Sequence, residues 1–191
     1  MKMLVDGDAF SSGQISSKIW LCEELEKMAF ATPQRIWVLG GWHGMASFLL
    51  LSRNRMPVDH IRSFDIDEST QPVADTILEN WVWQGWKFKA FVHDCNELEY
   101  VGGNEWGNTP ALVINTSVEH FSSNAWFDRI PSGTVVALQC NNMIHDDHHS
   151  CVGSLEQMVE TYPLSGIKYQ GQLDFNYPGW GFSRFMIIGT K

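Results

Sequence analysis

One stretch of this chain, residues 36–67, restricts the possible fold more than any other. It opens with a short apolar run, IWVL, which has the length and composition of a buried strand. Three glycines follow at Gly40, Gly41 and Gly44, and after them comes an apolar run of helical length, residues 45–51. A second strand-like run, HIRSFDI, comes next. Strand, glycine turn, helix and strand in this order predict a βαβ unit, and therefore a parallel sheet.

The glycine turn and the acidic residues after the second strand are spaced as in nucleotide-binding sites. Asp65 and Asp67 follow the turn by about 20 residues, the spacing at which an acid accepts hydrogen bonds from ribose hydroxyls. The dinucleotide pattern G-x-G-x-x-G is absent. In a G-x-G-x-G turn from Gly40 to Gly44, the middle glycine is replaced by Trp42. Two interpretations stay open at this point, a nucleotide-type site or a βαβ unit without a ligand.

The rest of the chain alternates between strand-like and helix-like segments. Strands are predicted at residues 36–39, 60–66, 88–92, 111–114, 134–138, 167–175 and 182–190, the last two as an antiparallel hairpin. Helices are predicted at residues 14–29, 45–51, 69–81, 126–130 and 155–161, and loops at 102–104, 107–108 and 141–150. Ser11 or Ser12 is expected to cap the first helix, and Ser69 or Thr70 the helix that begins near residue 69.

This alternation predicts an α/β fold made of one domain over residues 1–191. We expect a Rossmann-like three-layer αβα sandwich, with a mostly parallel seven-stranded sheet, a C-terminal antiparallel hairpin and an N-terminal helical cap at residues 1–32. Ligands of such sheets bind outside the carboxyl ends of the strands. Asp65, Asp94 and Asn115 each follow a predicted strand and should meet at that edge.

The charge of the chain argues against nucleic acid as its partner. The 191 residues include 22 Asp and Glu against 13 Lys and Arg, a net charge of −9, without a basic cluster. Binding to nucleic acid depends on basic residues that contact phosphates. No apolar run approaches the roughly 20 residues of a membrane span. We therefore expect a soluble cytoplasmic protein that binds neither nucleic acid nor membranes.

The order of these segments resembles the class I S-adenosylmethionine-dependent methyltransferases over residues 33–190. The resemblance rests on four motifs, which read VLGGWHG, FDID, VHDC and LVINTSVEHF in this chain. The first motif departs from the family pattern, with Val38 in place of the usual acid and Trp42 in place of the central glycine. The fourth departs as well, with Ala111 in place of its leading aspartate.

The resemblance implies S-adenosylmethionine as the cofactor and a role for each motif. The glycine turn would contact the amino acid end of the cofactor, Asp65 the ribose hydroxyls and Asp94 the adenine amino group. The candidate cofactor-binding residues are Gly40, Gly41, Trp42, Gly44, Asp65, Ile66, Asp94, Cys95 and Asn115. Residues 11–18 could fold over the cofactor, with Gln14 and Lys18 as polar contacts, or could simply cap a helix.

Candidate catalytic residues follow the fourth and fifth strands. Glu119 and His120 could deprotonate or orient a methyl acceptor, or could only pack at the start of a helix. His145 lies in the polar loop HDDHH, which could be solvated, could supply a base or could hold a metal. The helical zinc pattern H-E-x-x-H is absent, and the sequence predicts no metal site.

We therefore predict methyl transfer from S-adenosylmethionine to an O or N atom of a small-molecule acceptor. The predicted domain nearly fills the chain, which favours a small acceptor. A partner subunit could complete the site, or the chain could form a homo-oligomer. Two alternatives stay open, another enzyme that uses S-adenosylmethionine, such as a lyase, and a non-catalytic binding module on the same fold. The missing G-x-G-x-x-G pattern argues against a nicotinamide oxidoreductase.

Overall fold

A computed structural model describes residues 5–101 and 106–191 of the chain. The strands are β1 (Gln34–Leu39), β2 (Val58–Asp65), β3 (Phe88–Val92), β4 (Leu112–Asn115), β5 (Val135–Asn141), β6 (Ser165–Tyr177) and β7 (Trp180–Thr190). The α-helices are α1 (Ser12–Lys27), α2 (Met45–Arg53), α3 (Thr70–Ile77), α4 (Glu79–Trp83), α5 (Ala125–Asp128) and α6 (Leu155–Thr161). Short 3-10 turns occupy Gly7–Phe10, Cys95–Glu97 and Val118–His120.

The strands of the described residues form one seven-stranded sheet in the order β3-β2-β1-β4-β5-β7-β6. The first five strands run parallel to one another, and β7 lies antiparallel between β5 and β6. The predicted α/β fold, with its mostly parallel sheet and C-terminal hairpin, is confirmed.

Successive residues of β1 face opposite sides of the sheet and enter two different apolar cores. Trp37 and Leu39 pack in a core with residues of α5 and α6. Ile36 and Val38 pack in a second core with residues of α1 and α2. Because every strand residue has its side chain on one face or the other, a strand that is apolar throughout must be covered on both sides. The three-layer arrangement follows from that pattern.

Several boundaries differ from the predicted ones for physical reasons. β2 ends at Asp65, so Ile66 lies outside the strand and is 71% exposed. The predicted helix at 69–81 is divided at Leu78, which leaves the helical conformation (φ −104°, ψ 21°) and is fully buried. Ser69 occupies the N-cap position of α3 without a capping side-chain hydrogen bond. Its N–H donates to Asp67 Oδ1 over 2.8 Å instead.

The N-terminal cap predicted at residues 1–32 contains α1, whose N-cap is Ser11. The Ser11 Oγ accepts a hydrogen bond from the Gln14 N–H over 3.4 Å, as its sequence position predicts. The loop predicted at residues 102–104 and the first four residues of the cap lie outside the described residues. Among the described helices, none has both the length and the apolar character needed to cross a membrane.

Candidate functional site

The carboxyl ends of the central strands bring the predicted site residues to one edge of the sheet. Leu39, the last residue of β1, pairs with Phe64 on β2 and with Asn115 on β4. The glycine turn after Leu39 therefore lies between Asp65 and the segment that follows Asn115. Asp65 in turn pairs with Val92, the last residue of β3. The parallel register thus joins segments that are distant in sequence.

The turn after β1 keeps a glycine-like backbone even though Trp42 occupies its centre. Gly40, Trp42 and Gly44 all have positive φ angles, of 60°, 46° and 77°. A positive φ in a large residue is strained, at a cost of about 1–3 kcal/mol. The strain is offset in part because the Trp42 N–H donates to Asp65 Oδ2 over 2.8 Å and its ring stacks on His43. Trp42 therefore supplies a backbone donor at the position where a glycine turn of this type has its middle glycine.

The glycines of the turn are required by close neighbours. A side chain at Gly41 would place its Cβ 1.9 Å from Ser63 Oγ. A side chain at Gly40 would place its Cβ 3.3 Å from both Ser117 and Phe121, in the space at the end of the sheet. The turn therefore packs against β2 on one side and against the segment after β4 on the other.

Asp65 is a half-buried acid held by two backbone donors. Its Oδ2 accepts from the Trp42 N–H, and its Oδ1 accepts from the Asp67 N–H over 3.1 Å. Burial raises the pKa of Asp65, and the two backbone hydrogen bonds oppose that rise. Each carboxylate oxygen has a second lone pair, so Asp65 can accept further hydrogen bonds from a ligand without losing either backbone contact.

The remaining predicted cofactor residues differ in how they reach the edge. Asp94 Oδ1 accepts from the Asn96 N–H and caps the 3-10 turn that follows β3. Cys95 is buried, and its Sγ lies 3.9 Å from the Phe64 carbonyl oxygen. Asn115 is fully buried, and its Oδ1 accepts from the Ser117 N–H. Among the described residues, no partner reaches Asn115 Nδ2, a buried donor of the kind that a ligand or water satisfies.

A buried ion pair lies beside this edge, between the segment after β4 and strand β7. Glu119 is 2% exposed, and its Oε1 lies 3.5 Å from Arg184 Nη2. The same oxygen accepts a hydrogen bond from Asn141 Nδ2. Arg184 also donates from Nη1 to the Thr116 carbonyl over 3.0 Å. Arg184 reaches this position because it pairs with Asn141, the last residue of β5.

Lys18 of α1 is a buried base next to the glycine turn. It lines a cleft together with Gly40, Gly41 and Thr116, and its Nζ donates to Gln14 Oε1 over 2.5 Å. Burial, together with the nearby Arg184 guanidinium, lowers the pKa of Lys18 to about 7. Both Gln14 and Lys18 therefore lie close to the turn, on the side where the N-terminal segment covers it.

The candidate catalytic residues divide into two groups. Glu119 and His120 lie together with His148, whose ring centroid is 4.7 Å from that of His120. His145 is exposed and lies near Asp147, with its ring centroid 5.4 Å from that of His148. The sequence places His148 in a loop of potential bases and metal ligands, but nothing in the local sequence relates it to Glu119.

Lys18 and the loop that begins at Asn141 were expected near this edge from the sequence, whereas Arg184 was not. The one signal for Arg184 is its position directly before an apolar strand segment, FMII, where a buried charge needs a partner. Sequence alone does not identify that partner as Glu119.

The strand order, the antiparallel β7 and the glycine turn after β1 define the class I S-adenosylmethionine-dependent methyltransferase fold. No protein-family model matches the chain, and the search of curated proteins returned no match either. The fold is recognised from solved structures alone.

Three of these structures illustrate the similarity. The magnesium protoporphyrin IX methyltransferase ChlM of Synechocystis PCC 6803, with bound S-adenosylmethionine, is 12% identical with a TM-score of 0.67, over 99% of this chain and 86% of that one. The N-methyltransferase NodS of Bradyrhizobium japonicum, in complex with S-adenosylhomocysteine, is 7% identical with a TM-score of 0.67, over 94% and 88%. A proposed RNA methyltransferase of Pyrococcus horikoshii is 14% identical with a TM-score of 0.59, over 95% and 85%. At these identities the comparison shows the fold and leaves the acceptor open.

Proposed function

We propose that this protein binds S-adenosylmethionine and transfers its methyl group to an O or N atom of a small-molecule acceptor. The observation that carries the proposal is the contact between Asp65 and the Trp42 N–H. It joins the acid at the end of β2 to the glycine turn, within a fold whose neighbours include structures with S-adenosylmethionine and S-adenosylhomocysteine bound.

The residues at the edge fit the adenosine half of this cofactor. Asp65 retains acceptor capacity for the ribose hydroxyls, and Asp94 follows the neighbouring strand as an acceptor for the adenine amino group. Ile66, 71% exposed, offers an apolar surface on which the adenine ring can pack. Asn115 Nδ2, which has no hydrogen-bond partner among the described residues, is a further donor for the bound molecule.

We assign the methionine half to the cleft beside Lys18, because of the groups that line it. Gly40 and Gly41 line it with backbone, and Lys18 supplies a cation at its wall. A carboxylate placed there would lie opposite the Lys18 ammonium group, and the charge pair would favour the protonated lysine. The short segment Gly7–Phe10 covers the same cleft, because Ala9 lines it and the Asp6 N–H donates to His43 Nε2 over 3.1 Å. Such a cover would exclude water from the reacting atoms.

When bound, the cofactor would supply a methyl group on a sulfonium: the acceptor lone pair forms the new bond, the S–C electron pair remains on sulfur, and the acceptor loses its proton. The chain must therefore position the acceptor and accept or release that proton. Glu119 and His120, at the end of β4, are our candidates for this task. His145, in the loop after β5, is a further candidate that lies outside their cluster.

A small acceptor is favoured over nucleic acid by two features of the chain. ChlM, one of the similar structures, is a methyltransferase of magnesium protoporphyrin IX, a small molecule, and this chain resembles it over 99% of its residues. The net charge of −9 also opposes the phosphate contacts that nucleic-acid binding requires.

Calorimetric titration of the whole chain with S-adenosylmethionine, S-adenosylhomocysteine and NAD tests the proposal. We expect binding of the first two and none of NAD. Asp65→Ala should weaken that binding by about 10- to 100-fold, the effect of losing hydrogen bonds to a charged group. The matched control is Asp59→Ala, because Asp59 is an exposed acid near the opposite end of the same strand.

Tight binding of NAD without binding of S-adenosylmethionine would contradict the proposal. Formation of S-adenosylhomocysteine in the presence of acceptor pools distinguishes a methyltransferase from the alternatives. Tight cofactor binding with no turnover on any pool would favour the non-catalytic module. Release of products other than S-adenosylhomocysteine would favour a lyase.

A further inference from the structure

Three side chains with metal-binding atoms converge beside the proposed acceptor position. Glu119, His120 and His148 each offer one ligand atom, and these atoms lie within 4.8 Å of one another. Glu119 and His120 belong to the 3-10 turn after β4, whereas His148 belongs to the loop after β5. The fold therefore brings together donors that the sequence separates.

The Glu119 carboxylate is oriented so that one oxygen is left without a partner. Arg184 and Asn141 both contact Oε1. Its Oε2 is fully buried and has no hydrogen-bond partner among the described residues. A buried carboxylate oxygen without a hydrogen-bond partner is unfavourable, and a cation at that oxygen would offset this cost.

The His148 ring is held in the tautomer that a metal ligand needs. Its Nδ1 lies 2.8 Å from the Met143 carbonyl and donates its proton there, so Nε2 carries a free lone pair. Metal-binding histidines almost always donate their second ring N–H to an acceptor in this way. His120 is exposed, so its ring can rotate toward the same point without repacking a core.

The distance between Glu119 and the loop that contains His148 is fixed by the backbone. The N–H groups of His149 and Ser150 both donate to the Glu119 carbonyl, over 2.7 and 3.0 Å. The Ser150 hydroxyl donates to the Phe121 carbonyl as well. These bonds hold the two segments together before any ion binds, so binding need not order the loop.

We propose that Glu119, His120 and His148 bind one divalent first-row transition-metal ion, with open coordination positions for an oxygen atom of the acceptor. Two imidazoles and one carboxylate suit Zn²⁺, Fe²⁺, Co²⁺ or Mn²⁺, whereas Mg²⁺ and Ca²⁺ prefer oxygen ligands throughout. Ser117 and Phe121, on either side of Glu119 and His120, border the space at Gly40. The ion would therefore lie next to the methionine end of the cofactor site, and its role toward the acceptor rests on the proposed function.

The ion would take over the handling of the acceptor proton. A hydroxyl bound to the metal has a lowered pKa and releases its proton to solvent. The resulting oxygen lone pair forms the bond to the methyl carbon, while the S–C electron pair stays on sulfur. The acceptor class is thus narrowed to molecules with an ionisable hydroxyl that can bind a metal.

Titration of the metal-free whole chain with Zn²⁺ by calorimetry, and with Co²⁺ by visible absorption, tests the site. We expect one ion per chain, Co²⁺ ligand-field bands, and no competition from millimolar Mg²⁺. His148→Ala and His120→Ala should each weaken binding by about 100-fold or more. The matched control is His149→Ala, an exposed histidine of the same loop outside the cluster, which should bind as the wild type does.

Both test variants change side chains outside the buried core, so they should fold, and circular dichroism of each checks this. Absence of Zn²⁺ and Co²⁺ binding would overturn the proposal, as would binding unchanged in both test variants or lost equally in His149→Ala. Titration with S-adenosylmethionine is measured separately. Metal binding without cofactor binding would contradict the proposed function and support the metal site. Cofactor binding without metal binding would contradict the metal site alone.

Discussion

The backbone N–H of Trp42 donates to the half-buried Asp65 carboxylate over 2.8 Å, and it does so from a left-handed conformation with φ of 46°. The contact joins the turn after β1 to the end of β2, at the centre of the candidate site. It depends on the backbone of residue 42 rather than on its indole ring, which stacks on His43.

If the backbone donor is what matters, Trp42→Gly should keep the affinity for S-adenosylmethionine within a few-fold of wild type, since glycine adopts positive φ without strain. Trp42→Pro should reduce it by about tenfold or more, because proline lacks the N–H and fixes φ near −65°. Calorimetry measures both, with circular dichroism to confirm folding. An equal loss of affinity in Trp42→Gly and Trp42→Pro would instead show that cofactor binding depends on the indole ring.

The close approach of the turn to β2 gives a prediction about stability. Gly41→Ala should lower the free energy of unfolding by about 1–3 kcal/mol, because its Cβ would lie 1.9 Å from Ser63 Oγ. Removal of that hydroxyl should recover most of the loss, since the Ser63 Cβ is 3.2 Å away. Urea unfolding of Gly41→Ala, Ser63→Ala and the double variant measures the coupling. Additive losses in the double variant would show that the contact with Ser63 is not the cause.

The buried Lys18 predicts an unusual dependence of stability on pH. Its pKa is about 7 in the folded chain against 10.5 for an ordinary lysine, so the unfolded state binds more protons between these values. The free energy of unfolding should therefore rise with pH above 7, by about 1.4 kcal/mol per unit. Cys22, Cys95 and Cys140 oppose this trend only above their ordinary pKa of 9.0, since burial raises the pKa of each to about 12.

Urea unfolding at pH 7 and at pH 8.5 tests this expectation against Lys18→Met, which keeps the length of the side chain and cannot titrate. Wild type should gain roughly 2 kcal/mol over this interval. The variant should lack that gain. The same slope in both proteins would mean that Lys18 keeps an ordinary pKa in the folded state.

The fold could be predicted from the sequence because its determinants are local. Apolar runs such as IWVL and ALVI, and the glycines after β1, each specify an element within a few residues. The division between α3 and α4 could not be predicted, because it depends on tertiary packing that buries Leu78. The loop predicted after β5 is correct as an irregular segment, but its backbone bonds to Glu119 have no sequence signal.

The same distinction between local sequence and tertiary packing applies to the candidate site. The glycine turn, Asp65, Asp94 and Asn115 could be located from the sequence, because each lies at or just after the end of a strand and parallel strands end at one edge. Their role in binding the cofactor remains a prediction. The cluster of Glu119, His148 and Arg184 could not be foreseen, because Glu119 follows β4, His148 follows β5 and Arg184 lies within β7. The partner of a buried polar residue can be identified only when the packing around that residue is known.

Cofactor binding should also depend on the protonation of Lys18. If the carboxylate of S-adenosylmethionine binds opposite the Lys18 ammonium group, complex formation raises the pKa of Lys18 above about 7, its value in the folded chain without cofactor. Binding would then take up protons near and above pH 7, and affinity should fall as pH rises, by at most about tenfold per unit. Calorimetry in buffers of different ionisation enthalpy measures the proton uptake directly. Lys18→Met should bind more weakly at pH 7 and show no such uptake, whereas uptake unchanged in the variant would assign the proton to another group.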